Sequence, residues 1–497
     1  MKNILTSLKI TLLISVLVIC ANAATITVTN TNDSGAGSLR QAILDAAPGS
    51  TIDFDPTVFA TPQTITLTSG QLVIDKNLAI QGPGASILSV SGNNASRVFS
   101  ISSGVTATLG GMTITDGSDA GGYNGGYGGG ISNVGTLTVT ECIISENSAG
   151  SFAYFGDGLG GGIFNDGTLA VSNSTILGNS TAGDNGYDGH SLGGGIYNSG
   201  SLIVVESIIS GNGVGGLGDG ILGGGGIYNS GTATVLNSTI SENTVGFGDS
   251  NLGGGIYNDL GTLTISDSTI FSNTAEGGPF TLVEGGGIAA NAPIDTLRNT
   301  IVAGNTGGDI YGIIVTASHN LIGDAASAGG IQNGVNGNIV GVNPMLGPLQ
   351  DNGGPTMTHA LLAGSPAINT GDNCVLSANG CGDNDPALTA DQTGYPRDGS
   401  VDIGAFEFGL TTAATVKVSG RVMTNSGRSI RKAVVTMTDA ATGATRTVKA
   451  KPSGAYSFNG ITAGQSYVFQ ATAPGYKFEP QFLTVQGDVS NLNFIGQ

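Results

Sequence analysis

The chain has 497 residues and carries 35 Asp and Glu against 16 Lys and Arg, a net charge of −19, with 86 Gly and no Trp. Between positions 98 and 297 there is no Lys or Arg, and a surface without cations cannot neutralise phosphates, so nucleic-acid binding by that stretch is excluded. The same gap argues against an anionic polysaccharide as substrate unless divalent ions supply the positive charge.

The first 23 residues read as a secretory signal peptide. Lys2 and Lys9 precede an apolar core over 11–19, and Ala21-Asn22-Ala23 is a small-x-small cleavage site before Ala24. A lipoprotein signal would need a small residue before Cys20, where Ile19 stands. No later apolar run approaches the roughly 18 residues of a membrane helix. The mature chain is expected to be secreted or displayed at a bacterial cell surface, without a transmembrane segment, as a monomer.

Ser38-Leu39-Arg40-Gln41 forms a capping box that opens a short amphipathic helix ending before Pro48-Gly49. A helix here suits a cap over the exposed first coil of a repeat array. Short strand-like runs follow at 64–67, 72–74, 78–80, 87–90 and 98–101.

A repeat then takes over. Gly-Gly-Gly-Ile recurs with its Ile at 131, 163, 196, 227, 256 and 288, and four of the six copies continue with an aromatic residue and Asn. Each copy runs on with period-2 alternation, as in Leu263 and Ile265, and then an Ile or Val column at 144, 176, 209, 240, 270 and 302. A fixed period of short strands marks a solenoid. The expected fold is all-β: a right-handed parallel β-helix over 24–408 with three strands per turn and coils about 4.8 Å apart, a linker at 409–414, and a small β-sandwich over 415–497.

Asn recurs at two bends, as Asn133, Asn165, Asn198, Asn229 and Asn258, and as Asn147, Asn179, Asn212, Asn243, Asn273 and Asn305. Stacked amides can bond the coils above and below, which predicts a structural ladder. Asn173, Asn179 and Asn237 also head Asn-x-Ser/Thr sequons. Cys142 occupies a column of Ser and Thr and is expected to face the coil interior. Cys374 and Cys381, seven apart in a polar loop, are expected to form a disulfide in an oxidising compartment; zinc would lack further ligands there.

Chemistry is sparse. A lyase needs a basic residue to take a proton, and none stands in the central repeats; the three His, at 190, 319 and 359, are scattered. The loops before the repeats do carry acids, namely Asp157, Asp188, Asp219, Asp249 and Glu284, with Tyr123, Tyr127, Tyr154, Phe155 and Tyr187 alongside. Stacked carboxylates at roughly 5 Å would match a retaining glycosidase, or could hold Ca²⁺, or could solubilise Gly-rich loops. Asp372, Asp383, Asp385 and Asp391 surround the Cys pair and are candidate Ca²⁺ ligands by composition, without EF-hand spacing. No other cofactor is expected.

From 24 to 412 there are 5 basic and 32 acidic residues, net −27; from 413 to 497 there are 9 and 3, net +6. The composition shift marks the second domain, with strands expected at 416–422, 433–437, 446–449, 456–458, 467–471 and 483–485.

The long region resembles bacterial surface β-helix proteins of the polymorphic outer-membrane group, and more specifically the choice-of-anchor Q family. Gly37-Ser38-Leu39-Arg40-Gln41-Ala42-Ile43, Gly364-Ser365-Pro366-Ala367-Ile368-Asn369, Asp391-Gln392-Thr393-Gly394 with Pro396-Arg397, and Asp402-Ile403-Gly404-Ala405-Phe406-Glu407 carry the likeness. The family pattern has Cys where Gly37 stands, so any disulfide there is absent. The tail is similar to carboxypeptidase regulatory-like, transthyretin-like sandwiches through Val418-Ser419-Gly420-Arg421-Val422 and Gly454-Ala455-Tyr456-Ser457-Phe458, which implies an accessory module without peptidase activity. Together these readings imply a structural or adhesive protein that binds glycans or proteins through its repeat loops. The alternative is a carbohydrate-active enzyme, hydrolase or lyase, that uses the loop carboxylates.

Overall fold

A computed structural model describes residues 23–497 except 122–124, 151–155, 184–188, 217–219, 247, 278–280, 383–385, 398, 410–414, 441–442, 463–464 and 486–488. It divides into a unit ending at Glu407 and a unit Phe408–Gln497. Among the described residues no helix is long and apolar enough to cross a membrane.

The first unit is a parallel β-solenoid. Sheet I has eleven strands from Thr25–Val28 to Ile314–Ser318, sheet II eleven from Gln63–Thr66 to Ile339–Val340, and sheet III nine from Leu72–Ile74 to Ile310–Tyr311. A single coil runs Ile163–Asn165 in sheet III, Thr168–Ser172 in sheet I and Thr175–Leu177 in sheet II. The repeat Ile residues pair in register from 131 through 163, 196, 227 and 256 to 288, and each is 0% exposed. Period-2 alternation sends Leu and Val inward beside them, so one continuous apolar core fills the solenoid.

Two further sheets exceed the three strands per turn expected. Six coils add a strand in sheet IV, Ser118–Asp119 to Thr274–Glu276, and one in sheet V, Gly126–Tyr127 to Leu282–Glu284. These strands have two or three residues and are rich in Gly and Ser, as in Gly213–Gly215, so they lack a side-chain signature. Their hydrogen bonds come from the backbone of the next coil. Together they form a flange with its own small core of Val214, Leu222 and Val245.

The helix Leu39–Asp45 closes the start. Ser38 is its N-cap and accepts from the Gln41 amide, while Leu39, Ala42 and Ile43 are buried and join the solenoid core.

Coil is tied to coil by side-chain amides. Asn147 Nδ2 donates to Asn179 Oδ1, and so on through Asn212, Asn243 and Asn273 to Asn305, at 2.9–3.1 Å. Each Oδ1 also accepts from the backbone N–H of the preceding ladder Asn. Each Nδ2 reaches back to an Ile carbonyl, as Asn212 does to Ile176 O. A second ladder runs from Asn133 to Asn258 at 2.7 Å per step. A third is formed by hydroxyls: Ser174, Ser207, Ser238 and Ser268 each accept from the backbone N–H one coil earlier. Cys142 stands in that column, 1% exposed, and burial pushes its thiol up to about 12. Asn179 and Asn237 are 0% exposed, which removes both sequons from the reach of a glycan in the folded protein.

The second unit holds a three-stranded sheet, with Thr415–Thr424 between Ala455–Thr462 and Phe494–Gly496. Its four-stranded sheet is formed by Thr445–Lys449, Val434–Asp439, Gln465–Thr472 and Gln481–Val485. Val418, Phe458, Phe469 and Phe494 are among the residues of its core. The strand Phe494–Gly496 was not among those expected, because three residues give no alternation to read.

Replacing Asn212 by Ala strips the side-chain partner from two buried groups, the Asn179 N–H and Ile176 O, while Asn179 Nδ2 keeps Ile144 O and Asn243 Oδ1 keeps the backbone N–H of residue 212. At about 1–3 kcal/mol for each buried group left unsatisfied, the solenoid is expected to lose several kcal/mol. Thr264→Ala, on the outward side of sheet I, is expected to stay within about 0.5 kcal/mol. Calorimetric melting of the two variants distinguishes them.

Candidate functional site

The flange positions the loop acids. Asp157 Oδ1 accepts from the His190 backbone N–H at 2.8 Å, and His190 Nδ1 accepts from the Ile221 N–H at 2.9 Å. These two contacts join three successive loops. Asp249 is exposed and Glu284 half-buried. Asp188 and Asp219 lie outside the described residues, as do Tyr123, Tyr154, Phe155 and Tyr187.

Register decides which of these acids meet. Sheet V aligns Gly158 with Ser191, then Leu222, Asn251 and Val283, so Asp157 is four coils from Glu284, about 19 Å at the usual spacing. Glu284 stands beside Leu252, three residues beyond Asp249. That is about 10 Å along the chain and one coil across. The structure therefore does not bring Asp157, Asp249 and Glu284 together as a carboxylate pair.

Aromatic residues do converge. Beneath sheet V, the outward side chains of sheet III form a column in which Phe164 and Tyr197 stack at 5.2 Å and 7°, and Tyr197 and Tyr228 at 4.9 Å and 10°. Tyr127 and Tyr257 close its ends edge-on. Leu159, Leu192 and Leu252 cover it. Gly223 takes the position that Leu holds in those coils, because a Cβ there would lie 2.4 Å from the Tyr257 ring. The Tyr228 and Tyr257 hydroxyls both donate to Asp259 at 3.0 Å. Burial, reinforced by Asp259, holds both phenols well above their ordinary range. The inner rings of the column face one another, so their faces are spent on packing rather than left for a sugar.

The segment 344–407 forms a strap along the outside of sheet II and the bend before it. Gln392 donates to Ser207 O and accepts from Thr239 Oγ1. His359 Nε2 meets Ser241 Oγ at 2.8 Å. Arg397, its side chain 0% exposed, donates to Asn237 Oδ1, Gly404 O and Glu407, with Asp267 at 3.8 Å. Asn299, which donates to Asp372 O and accepts from the Asp372 N–H, brings the number of successive coils held by the strap to four, and the motifs that carried the family likeness supply Gln392, Arg397, Gly404 and Glu407.

The candidate Ca²⁺ ligands are engaged in the same framework. Asp391 is 0% exposed; its Oδ1 accepts from Thr393 N, Thr393 Oγ1 and Tyr395 N, and its Oδ2 from Glu407 N. Asp372 caps the 3₁₀ turn Asn373–Leu376 through the Cys374 N–H. Asp383 and Asp385 lie outside the described residues. Among the described residues no group of three or more His, Cys, Asp or Glu is placed to hold a metal. Cys374 and Cys381 are joined as a disulfide with Cα atoms 4.9 Å apart, beside a small cluster of Val375, Leu388 and Val401.

Residues 417–495 match the model of the carboxypeptidase regulatory-like domain. No curated protein matches the chain. Among solved structures, a mannuronic acid specific polysaccharide family 6 lyase enzyme from human gut microbiota aligns over 64% of this chain and 91% of its own. The identity is 9% and the TM-score 0.20, a likeness too slight to support an argument about activity.

Burial pushes the Glu407 carboxyl up to about 7; Asp402 adds to the shift and Arg397 opposes it. The folded state thus binds this proton more tightly than the unfolded chain, whose Glu titrates near 4.3. The resulting stability is complete below pH ~4.3 and is lost as pH rises through about 7. Glu407→Gln is expected to flatten the fall in melting temperature between pH 5 and 8, read by scanning calorimetry; an unchanged slope contradicts this role.

Proposed function

We propose that this chain is an exported, surface-displayed protein whose solenoid binds extracellular glycans or proteins through the loops raised by sheets IV and V. The observation that carries this reading is the flange itself. Coils before position 118 and after 284 close through sheets I, II and III alone, so the extra strands are not needed to complete a turn. Their effect is to set side by side the strand ends between which six loops run, one per coil, with an apolar core of their own. The tips range from three residues between Thr244–Gly246 and Ser250–Leu252 to eight between Ser180–Ala182 and Ser191–Leu192. Uniform columns beneath variable tips are the arrangement of a display scaffold, in which many weak contacts along a rigid array add up. The export signal and the disulfide agree with an oxidising, extracellular setting. The likeness to bacterial surface β-helix proteins points the same way.

The test is a glycan and protein binding screen with the full chain, with and without Ca²⁺, alongside a chain whose six tips are replaced by short Gly-Ser turns. Binding is expected to fall at least tenfold in the replaced chain while its melting temperature is kept. Release of reducing sugar that disappears in Asp157→Asn or Glu284→Gln would instead establish the enzyme reading.

A further inference from the structure

The second unit carries 9 of the 16 cations of the chain in its last 85 residues, with only Asp439, Glu479 and Asp488 in opposition. The fold gathers most of those cations at one end. Ser429 Oγ donates to Ser453 O at 2.7 Å, so the turn at 425–432 lies against the turn at 451–454. Arg421 joins them by donating to Ser453 O at 3.0 Å. On the other sheet Val434 pairs with Lys449, and the Ala450 N–H donates to Ala433 O. One step further, Lys432 and Lys451 come to the same end. Arg421, Arg428, Arg431, Lys432, Lys449 and Lys451 are therefore neighbours, and all six are exposed. Among the described residues none of the six is paired with a carboxylate.

Like charges brought together without counter-charges destabilise a sheet, and nothing in the core of this unit requires them. The Arg421 guanidinium is already oriented by Ser453, and guanidinium groups favour phosphate oxygens because their donors match two at once. Apolar side chains that would insert into a bilayer are not interspersed among the six. The exposed Phe482 pairs with Val468 away from this end, while Tyr476 and Ile495 lie at its edge beside Gly496 and Met423; two apolar side chains against six cations favour a hydrated polymer over lipid. We infer that this end of the carboxypeptidase regulatory-like domain is an electrostatic docking face for a polyol-phosphate surface polymer, holding the otherwise acidic chain to an anionic envelope. The inference concerns a different unit from the flange and stands or falls independently of it.

Poly(glycerol phosphate) is the probe, offered to the full chain at low and at physiological ionic strength. The full chain is expected to bind, with affinity falling as salt screens the contact. The Arg431→Ala/Lys432→Ala/Lys451→Ala chain is expected to bind at least tenfold more weakly. Removing the crowded cations is also expected to leave the melting temperature of this unit equal or higher, which separates lost binding from lost folding. An Arg446→Ala chain, altered toward the opposite end of the sheet where Arg446 bonds Asn459 O and Gly460 O, should bind within about twofold of the parent. The inference is overturned by absence of binding at low salt, by equal binding of the triple variant, or by preference for anionic lipid vesicles or duplex DNA over the polymer.

Discussion

Everything in the long unit depends on one constraint: each coil must lie directly on the next, in register, with no slip. The Asn ladder imposes it. An amide that accepts from the coil before and donates to the coil after has its bonds satisfied in one register only, and a shift by one residue would leave it buried without partners. The second Asn ladder and the Ser column act at other bends of the same coil, so three corners of each turn are pinned. The Ile column can then be wholly apolar, because position is already fixed by groups that carry no charge. This also explains how a chain of net −19 holds a long cation-free stretch: neutral amides and hydroxyls, not ion pairs, provide the lateral bonds.

Much of this was legible in the sequence, for reasons that can be named. Inward residues such as Leu137, Val139 and Ile144 recur at equal offsets from each Gly-Gly-Gly-Ile, and equal offsets in sequence become straight columns in a solenoid. The short sheets IV and V were not legible, because strands such as Ser148–Gly150 and Gly158–Leu159 are too short to alternate, and the Leu column of sheet V, Leu159, Leu192 and Leu252, is a single residue per coil that merges with the Gly-rich corner after it. The strap motifs were visible as motifs. Their purpose was not, since Gln392 bonds Ser207 across 185 residues and no local spacing encodes that meeting. The loop acids stand at unequal offsets before their Ile residues, from four for Glu284 to eight for Asp188. Unequal offsets cannot produce one column, so the carboxylate row suggested by their recurrence does not form among the described positions.

The aromatic residues show the same division between frame and display. Phe164, Tyr197, Tyr228 and Tyr257 occupy equal offsets and are consumed by packing under sheet V. What remains free to differ between coils is the set of loop tips. Arg397, buried among Asn237, Glu407 and Asp267, secures the strap against two successive coils at the cost of desolvating charge. Such a clamp suits a scaffold that has to keep its loops in fixed relation more than a site that has to open and close.

The central claim is that the coils form one locked frame while the tips are its variable part. Hydrogen–deuterium exchange of the full chain tests it most directly. The backbone amides of Asn147, Asn179, Asn212, Asn243 and Asn273 should be among the slowest to exchange, with similar protection from coil to coil. Ladder amides that exchange coil by coil at widely different rates would contradict it.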